Sequence, residues 1–470
     1  MATRTSCTSI LIGKAASADG SVMIGRNEDS KAAWPKHVVV HPAQVNDTVT
    51  FASKANQFTL ALPSHALKYT ATPEWTTDFG LFEEAGINSA GVAMSATESA
   101  YANPRVLAYD PFVADTGIIE EAMVTVVLPY IQSAQEGVTR LGKIVTQHGT
   151  GEANGVLFAD HDEAWYMEIA TGHQWVAQRI PDDCYAVVAN QLAIQRVLPD
   201  SPDFMYSPDL FDFAATHRLW ERGTAFNFRQ IFGTTGAFDH TYNTARVWDG
   251  QRRLSPKRQS QPTDDDLPFC LQADRPLFVD DAFQVLGAHF EETDYDPADR
   301  LAGAAHRFRP ISLARTQEAH VLQLRPDLPY EIADLHWIAM GVAAQSQFVP
   351  FFAGTTDTPA DYQRGALPPS LDAAYWQYKL AGVLMDAHFR YFQHDLNQVQ
   401  VATHAELLAH IAATDAQSHG LDAPALAALA TSATMTSAAL SKAAWQRFTM
   451  ALLAKSTDLS PLNFTTDPNL

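Results

Sequence analysis

Residues 7–30, CTSILIGKAASADGSVMIGRNEDS, decide how the rest of this 470-residue chain is to be read. CTSILIGK is a short apolar run, SADGS supplies an Asp-Gly turn, and SVMIGRN is a second run that ends in charge, which is the pattern of a β-hairpin. The outer ends of an antiparallel hairpin are neighbours, so Cys7 is brought to the segment Arg26 to Asp29. A thiol, a guanidinium and carboxylates then meet with no help from the rest of the fold. Ahead of Cys7 stand only the small and polar residues MATRTS, with no apolar run to build a strand, a helix or a signal sequence.

A cysteine is nucleophilic as the thiolate and therefore needs a base or a positive environment. Cutting the bond between Ser6 and Cys7 would give Cys7 its own α-amine, whose unperturbed pKa of about 7.7–8.0 suits a general base near neutral pH. Arg26 is then placed to stabilise the thiolate and Asp29 to orient the α-ammonium. The same spacing also fits a structural cysteine beside an exposed ion pair of Arg26 with Glu28 or Asp29, and spacing alone leaves both readings open.

Composition narrows the classes. Apolar residues make up 46% of the chain and charged residues 18%, as in an ordinary folded protein. Acidic residues outnumber basic ones by 53 to 32, and a formal charge of −21 repels phosphate backbones and anionic lipid surfaces. We expect neither nucleic-acid nor membrane partners, and a cytoplasmic location, since no basic-then-apolar leader is evident. The three cysteines are too few and too scattered for a disulfide framework and form no CxxC pair, so Cys184 and Cys270 are read as small buried residues. HExxH, GxSxG, GxxxxGK[ST] and GxGxxG do not occur. His161, His173, His289, His320 and His336 have no partner at metal-ligand spacing and are read as structural. No metal or organic cofactor is expected.

Along the chain, GINSAGVAMSAT (86–97) reads as a turn and a strand of small residues, and 117–149 as two helices, the first interrupted by Pro129 and the second ended by Gly149. GVLFAD, EAWYMEIA, HQWVAQRI and CYAVVANQ follow as a β-meander ending at Asn190. RRLSPKRQSQPTDDDLP (252–268) predicts a surface loop. HVLQLRPDLPYEIADLHWIAMG predicts two strands joined by a Pro-rich turn, and the Ala- and Leu-rich chain from about 370 onward predicts helices. Strands, helices, strands, then helices indicate an α+β layered fold.

The opening stretch, together with GINSAGVAMSATES, EAWYMEIATGHQWVAQRIPDDCYAVVANQ, YNTARVW, HVLQLRPDLPYEI and FVPFFAG, resembles peptidase family C69, the dipeptidase A and secernin group of the N-terminal-nucleophile (Ntn) hydrolases. The resemblance implies an αββα four-layer sandwich and self-removal of a propeptide, here residues 1–6. A catalytic domain would span 7–369, and a helical C-terminal extension, 370–470, would pack on it. It also implies that Cys7 is the nucleophile of a cysteine dipeptidase acting through a thioester. The related choloylglycine-hydrolase and penicillin V acylase branch has a similar R-x-x-D, which falls on Arg26 and Asp29, and an oxyanion asparagine, which falls on Asn190. A turn asparagine capping a strand end remains the alternative for Asn190. A backbone N–H near Thr97 or Glu98 is the candidate second donor. Glu98 is also a candidate for the substrate's α-ammonium, and Arg246 for its carboxylate, with a surface arginine as the alternative. We expect small dipeptide substrates and a homo-oligomer. An N-acyl amide hydrolase and a non-catalytic, secernin-like interaction protein are the competing readings.

Overall fold

The computed structural model of the chain describes residues 7–45, 47, 49–97, 100–299 and 301–462. The expected leader, residues 1–6, and Glu98 lie outside the described residues. The hairpin forms as read. Strand Thr8–Ile12 pairs antiparallel with Val22–Asp29, with Ser9 opposite Arg26 and Ile12 opposite Met23. Asp19 holds the turn, accepting from the Ser17 hydroxyl at 2.6 Å and the Ser21 N–H at 3.0 Å, while Gly20 takes the positive φ of 78°.

This hairpin is the centre of a seven-stranded antiparallel sheet. Its order is Cys270–Gln272, Cys184–Val188, Thr8–Ile12, Val22–Asp29, Thr316–Leu324, Asp334–Met340 and Val349–Phe352. The last three include the two strands predicted around the Pro-rich turn, which carries a short helix, Tyr330–Ala333. A six-stranded sheet faces it, ordered Phe204–Tyr206, Trp175–Ile180, Ala164–Ile169, Asn154–Ala159, Ala93–Thr97 and Ala85–Ile87.

The predicted four-strand meander is corrected here. Three of its strands pair consecutively, but the fourth, Cys184–Val188, crosses to the other sheet. The turn at Pro181 to Asp183 packs its carbonyls against Gly13, where a Cβ would lie 2.5 Å from the Pro181 oxygen, and so steers the chain across to the first hairpin. Cys184 and Cys270 sit on these paired strands as free, half-buried thiols rather than fully buried ones.

Between the sheets Leu11, Ile24, Leu157, Val176, Ala186, Val188 and Leu322 form one buried apolar layer. Helices cover both outer faces. Glu120–Val127 and Ala134–His148 bury Val124, Val138 and Leu141 against Met94, Val156, Phe158 and Trp165 of the six-stranded sheet. On the other side, Val279–Leu286 packs on Ile10, Met23 and Val321. The predicted break at Pro129 is a 3₁₀ turn, Leu128–Tyr130, and the second helix ends at Gly149 with φ of 75°. The architecture is therefore helix, sheet, sheet, helix. The first residues of the 252–268 segment finish a helix, Ala245–Leu254, and the rest is loop.

Three helices, Ala374–Asp386, Phe389–Ser418 and Ala423–Asp458, make up most of the last described residues. Tyr378, Met385, Trp445 and Phe448 pack with Ile338, Val349 and Phe351, extending the core beyond the free edge of the seven-stranded sheet.

Candidate active site

Register places the site before any side chain is considered. Ser9 faces Val188 on one side and Arg26 on the other, so two residues back along the strand Cys7 comes level with Asn190 and Glu28. Strand alternation turns Cys7, Arg26, Glu28 and Asn190 toward the inter-sheet space, and Asn27 and Asp29 toward the opposite face.

Cys7 is 4% exposed, and its sulfur accepts a hydrogen bond from Arg26 Nη1 at 3.2 Å. Burial pushes the thiol above its ordinary pKa, against the Arg26 charge, the Thr97 hydroxyl and the Asp29 backbone N–H, all of which favour the thiolate; the Asp29 charge works the other way. The resting group is thus a thiol surrounded by groups that stabilise its anion.

Arg26 is itself fixed on three sides. Nε donates to Ser95 Oγ at 2.9 Å, Nη2 donates to Glu84, and Glu120 lies 4.0 Å from Nη1. Burial disfavours the guanidinium charge, but Glu84, Cys7 and Glu120 outweigh it and hold Arg26 well above its usual range. Glu84 is shared with Lys36 Nζ at 3.7 Å, and Lys36 reaches Glu28 at 2.9 Å. Ser95 continues to His320 Nε2 at 2.9 Å, whose Nδ1 meets Glu318 at 2.8 Å.

Asp29 differs from the sequence expectation. Its carboxylate is engaged by Arg309 and Thr316, each at 2.5 Å, and its direct contact with the thiol is through the backbone N–H. Thr97 contributes its hydroxyl to the sulfur, and its carbonyl accepts from Asn154 at 3.4 Å.

Arg246 corrects both readings of it, since it is neither at the surface nor available to a substrate carboxylate. It is fully buried, and its five N–H donors are all committed. Nε donates to the Tyr242 carbonyl at 2.7 Å; Nη1 to the Cys7 carbonyl at 2.7 Å and Thr8 Oγ1 at 2.8 Å; Nη2 to Asn190 Oδ1 at 2.5 Å and Asn243 Oδ1 at 2.8 Å. A π-helical turn, His240–Thr244, delivers it. Arg246 therefore ties the backbone of Cys7 to the side chain of Asn190.

With Oδ1 held in this way, Asn190 Nδ2 is a buried donor without a hydrogen-bond partner among the described residues. The loop beyond it is anchored by Glu168, which accepts the Ala193 and Ile194 N–H groups and whose carboxyl burial raises to about 8. Tyr166 Oη is a second buried polar group without a hydrogen-bond partner among the described residues, and its electrostatic neighbours are Glu168 and Cys7. Gly155 makes room for it: a Cβ there would lie 2.2 Å from that oxygen. An arrangement of a thiol, a guanidinium and an unused amide N–H suits attack on a carbonyl and stabilisation of the resulting oxyanion.

Sequence reasoning singled out Cys7, Arg26, Asp29, Thr97, Asn190 and Arg246, and the structure brings them into one cluster. It missed Glu84, Lys36, Ser95, Glu120 and Tyr166, and it gave His320 no part in the site. The adjacent Glu83 and Glu84 just ahead of an apolar strand were the available signal. His161, His173 and His289 pair with Asp334, Asp110 and Asp296 at 2.7, 2.8 and 2.9 Å, and His336 with Thr70 at 3.1 Å. Among the described residues no cluster of His, Cys, Asp and Glu could hold a metal ion.

Comparison with known proteins sets this cluster in a family. The chain is 42% identical over 469 residues to a probable dipeptidase of Latilactobacillus sakei, covering 99% of this chain and 98% of that protein. It is 38% identical to a dipeptidase of Bifidobacterium longum (87% and 83% covered) and 36% identical to dipeptidase A of Lactobacillus helveticus (83% and 84% covered). A solved structure of penicillin V acylase from Agrobacterium tumefaciens is similar at 14% identity with a TM-score of 0.33, over 73% of this chain and 86% of that one. The model of peptidase family C69 matches residues 6–402, beginning one residue before Cys7 and spanning the site described above, and the chain belongs to that family of peptide hydrolases.

Proposed function

We propose that the chain is a cysteine dipeptidase whose nucleophile is Cys7, exposed as the N-terminal residue by removal of residues 1–6. The observation that carries this reading is the Asn190 Nδ2 donor, which has no hydrogen-bond partner among the described residues and is buried beside a thiol that already accepts from Arg26. Family membership and relatives named as dipeptidases support the substrate class.

In the proposed cycle the α-amine of Cys7 takes the thiol proton, and the sulfur attacks the carbonyl carbon of the first residue. Arg26 stabilises the thiolate, and Asn190 Nδ2 donates to the oxyanion, its orientation preset by Arg246. The amine returns the proton to the departing nitrogen, and the C–N bond breaks to leave a thioester. Water, deprotonated by the same amine, hydrolyses the thioester and frees the first amino acid.

The test is the intact mass of the purified protein beside a Cys7→Ala variant, followed by a dipeptide assay. We expect the wild type to lack Met1 to Ser6 and to cleave dipeptides, and the variant to keep at least Ala2 to Ser6 and lose activity by more than about a thousandfold. Retention of those residues in both proteins would remove the amine base from the mechanism. Preferential turnover of an N-acyl amine over a dipeptide would replace the substrate class.

A further inference from the structure

Tyr166 stands where a phenylalanine would pack as well. Its ring is buried between the sheets, paired with Leu157 and 5.8 Å from the ring of Phe269, yet its hydroxyl has no hydrogen-bond partner among the described residues. A buried hydroxyl in that state costs stability, so packing does not account for the oxygen. Gly155 leaves the room that the oxygen occupies, since a Cβ there would lie 2.2 Å from Oη.

Two sets of contacts bring this hydroxyl to the surroundings of Cys7. Gly155, against which Oη rests, pairs with Thr97 on the next strand, and the Thr97 hydroxyl contributes to the sulfur. The phenol oxygen thus ends one strand spacing, about 5 Å, from the residue that touches the thiol. Glu168, two residues along and on the same face as Tyr166, accepts the Ala193 and Ile194 N–H groups at 2.5 and 3.3 Å. The loop that follows Asn190 is therefore docked on the strand of Tyr166. Asn190 Nδ2, likewise buried and without a hydrogen-bond partner among the described residues, belongs to the same space. Burial, then the charges of Glu168 and Cys7, hold the phenol well above its ordinary range, so it stays an O–H donor.

We propose that Tyr166 Oη donates the second hydrogen bond to the oxyanion formed when Cys7 attacks the substrate carbonyl, with Asn190 Nδ2 donating the first. The proposal rests on the Cys7 reading above. It moves the second donor, sought in the sequence at a backbone N–H near Thr97 or Glu98, to a side chain of the facing sheet. As the S–C bond forms, the carbonyl π pair moves onto oxygen, and both donors hold that charge without giving up a proton. The pair returns as the C–N bond breaks, and the departing nitrogen takes its proton from the α-amine of Cys7.

Tyr166→Phe keeps the ring and removes only Oη. It is compared with wild type for Ala-Ala turnover, unfolding midpoint and the rate of Cys7 alkylation by iodoacetamide, a reaction that forms no oxyanion. Turnover and alkylation are both expressed per chain with Cys7 exposed, counted by intact mass. We expect kcat to fall about 10²–10³-fold with KM within about threefold, alkylation within about twofold and an unfolding midpoint that is not lowered. A kcat within about threefold of wild type, or an alkylation rate that falls in parallel with kcat, overturns the assignment and leaves the Cys7 reading intact. A Cys7→Ala variant that cleaves Ala-Ala as fast as wild type overturns the Cys7 reading and this assignment with it.

Discussion

The two ends of the space between the sheets are built on the same strands and could hardly differ more. At one end Leu11, Ile24, Leu157, Ala186, Val188 and Leu322 are packed as in any β-sandwich core. Two to four residues further along, four of those strands lead to Cys7, Arg26, Glu28, Asn190 and His320, all buried and almost all hydrogen-bonded or ion-paired. The apolar end gains stability from removing surface from water. The polar end must offset the desolvation of several charges by mutual pairing, and such pairing is at best weakly stabilising relative to an apolar core. The contrast teaches that the polar end is shaped by the chemistry it has to perform.

The largest effect on this contrast is expected from Arg26→Gln. It leaves Glu84 without its main partner, and the stability loss should be about 3–5 kcal/mol by urea denaturation. A loss no larger than that of a conservative core change would mean that the two ends are energetically alike. Asn190→Ala should lower kcat about 10²–10³-fold with little change in KM or in unfolding midpoint, because Nδ2 has no hydrogen-bond partner among the described residues. A stability loss without a rate loss would return Asn190 to the role of a strand-end residue. The smallest effect belongs to the apolar end. Ile24→Val, one methylene on the strand that carries Arg26, should cost about 0.5–1.5 kcal/mol and leave kcat/KM unchanged.

These two ends were not equally legible in the sequence. The hairpin was readable because alternation and the Asp-Gly turn are local signals, and hairpin geometry alone carried Cys7 to Arg26. Asn190 was singled out through a resemblance rather than through geometry, since the meander reading kept Cys184–Val188 in the wrong sheet. Its crossing depends on packing at Gly13 that no local pattern encodes. Glu84, Lys36 and Glu120 come from loops and a helix start, and only tertiary contact gives them a common address. Arg246 was misread for a related reason. In sequence it reads as a surface arginine in a loop or a ligand for a substrate carboxylate, and its burial follows from acceptors as far away as Cys7.

The span of those contacts has a consequence for the time at which the site comes into being. Cys7 is translated before Arg246, which holds its carbonyl, and before Thr316–Leu324, which borders the strand carrying Arg26. A nascent chain that ends before Thr316–Leu324 has the thiol but not all the neighbours that position it. The thiol is synthesised before the groups that surround it, so the cluster forms only once Thr316–Leu324 has been made.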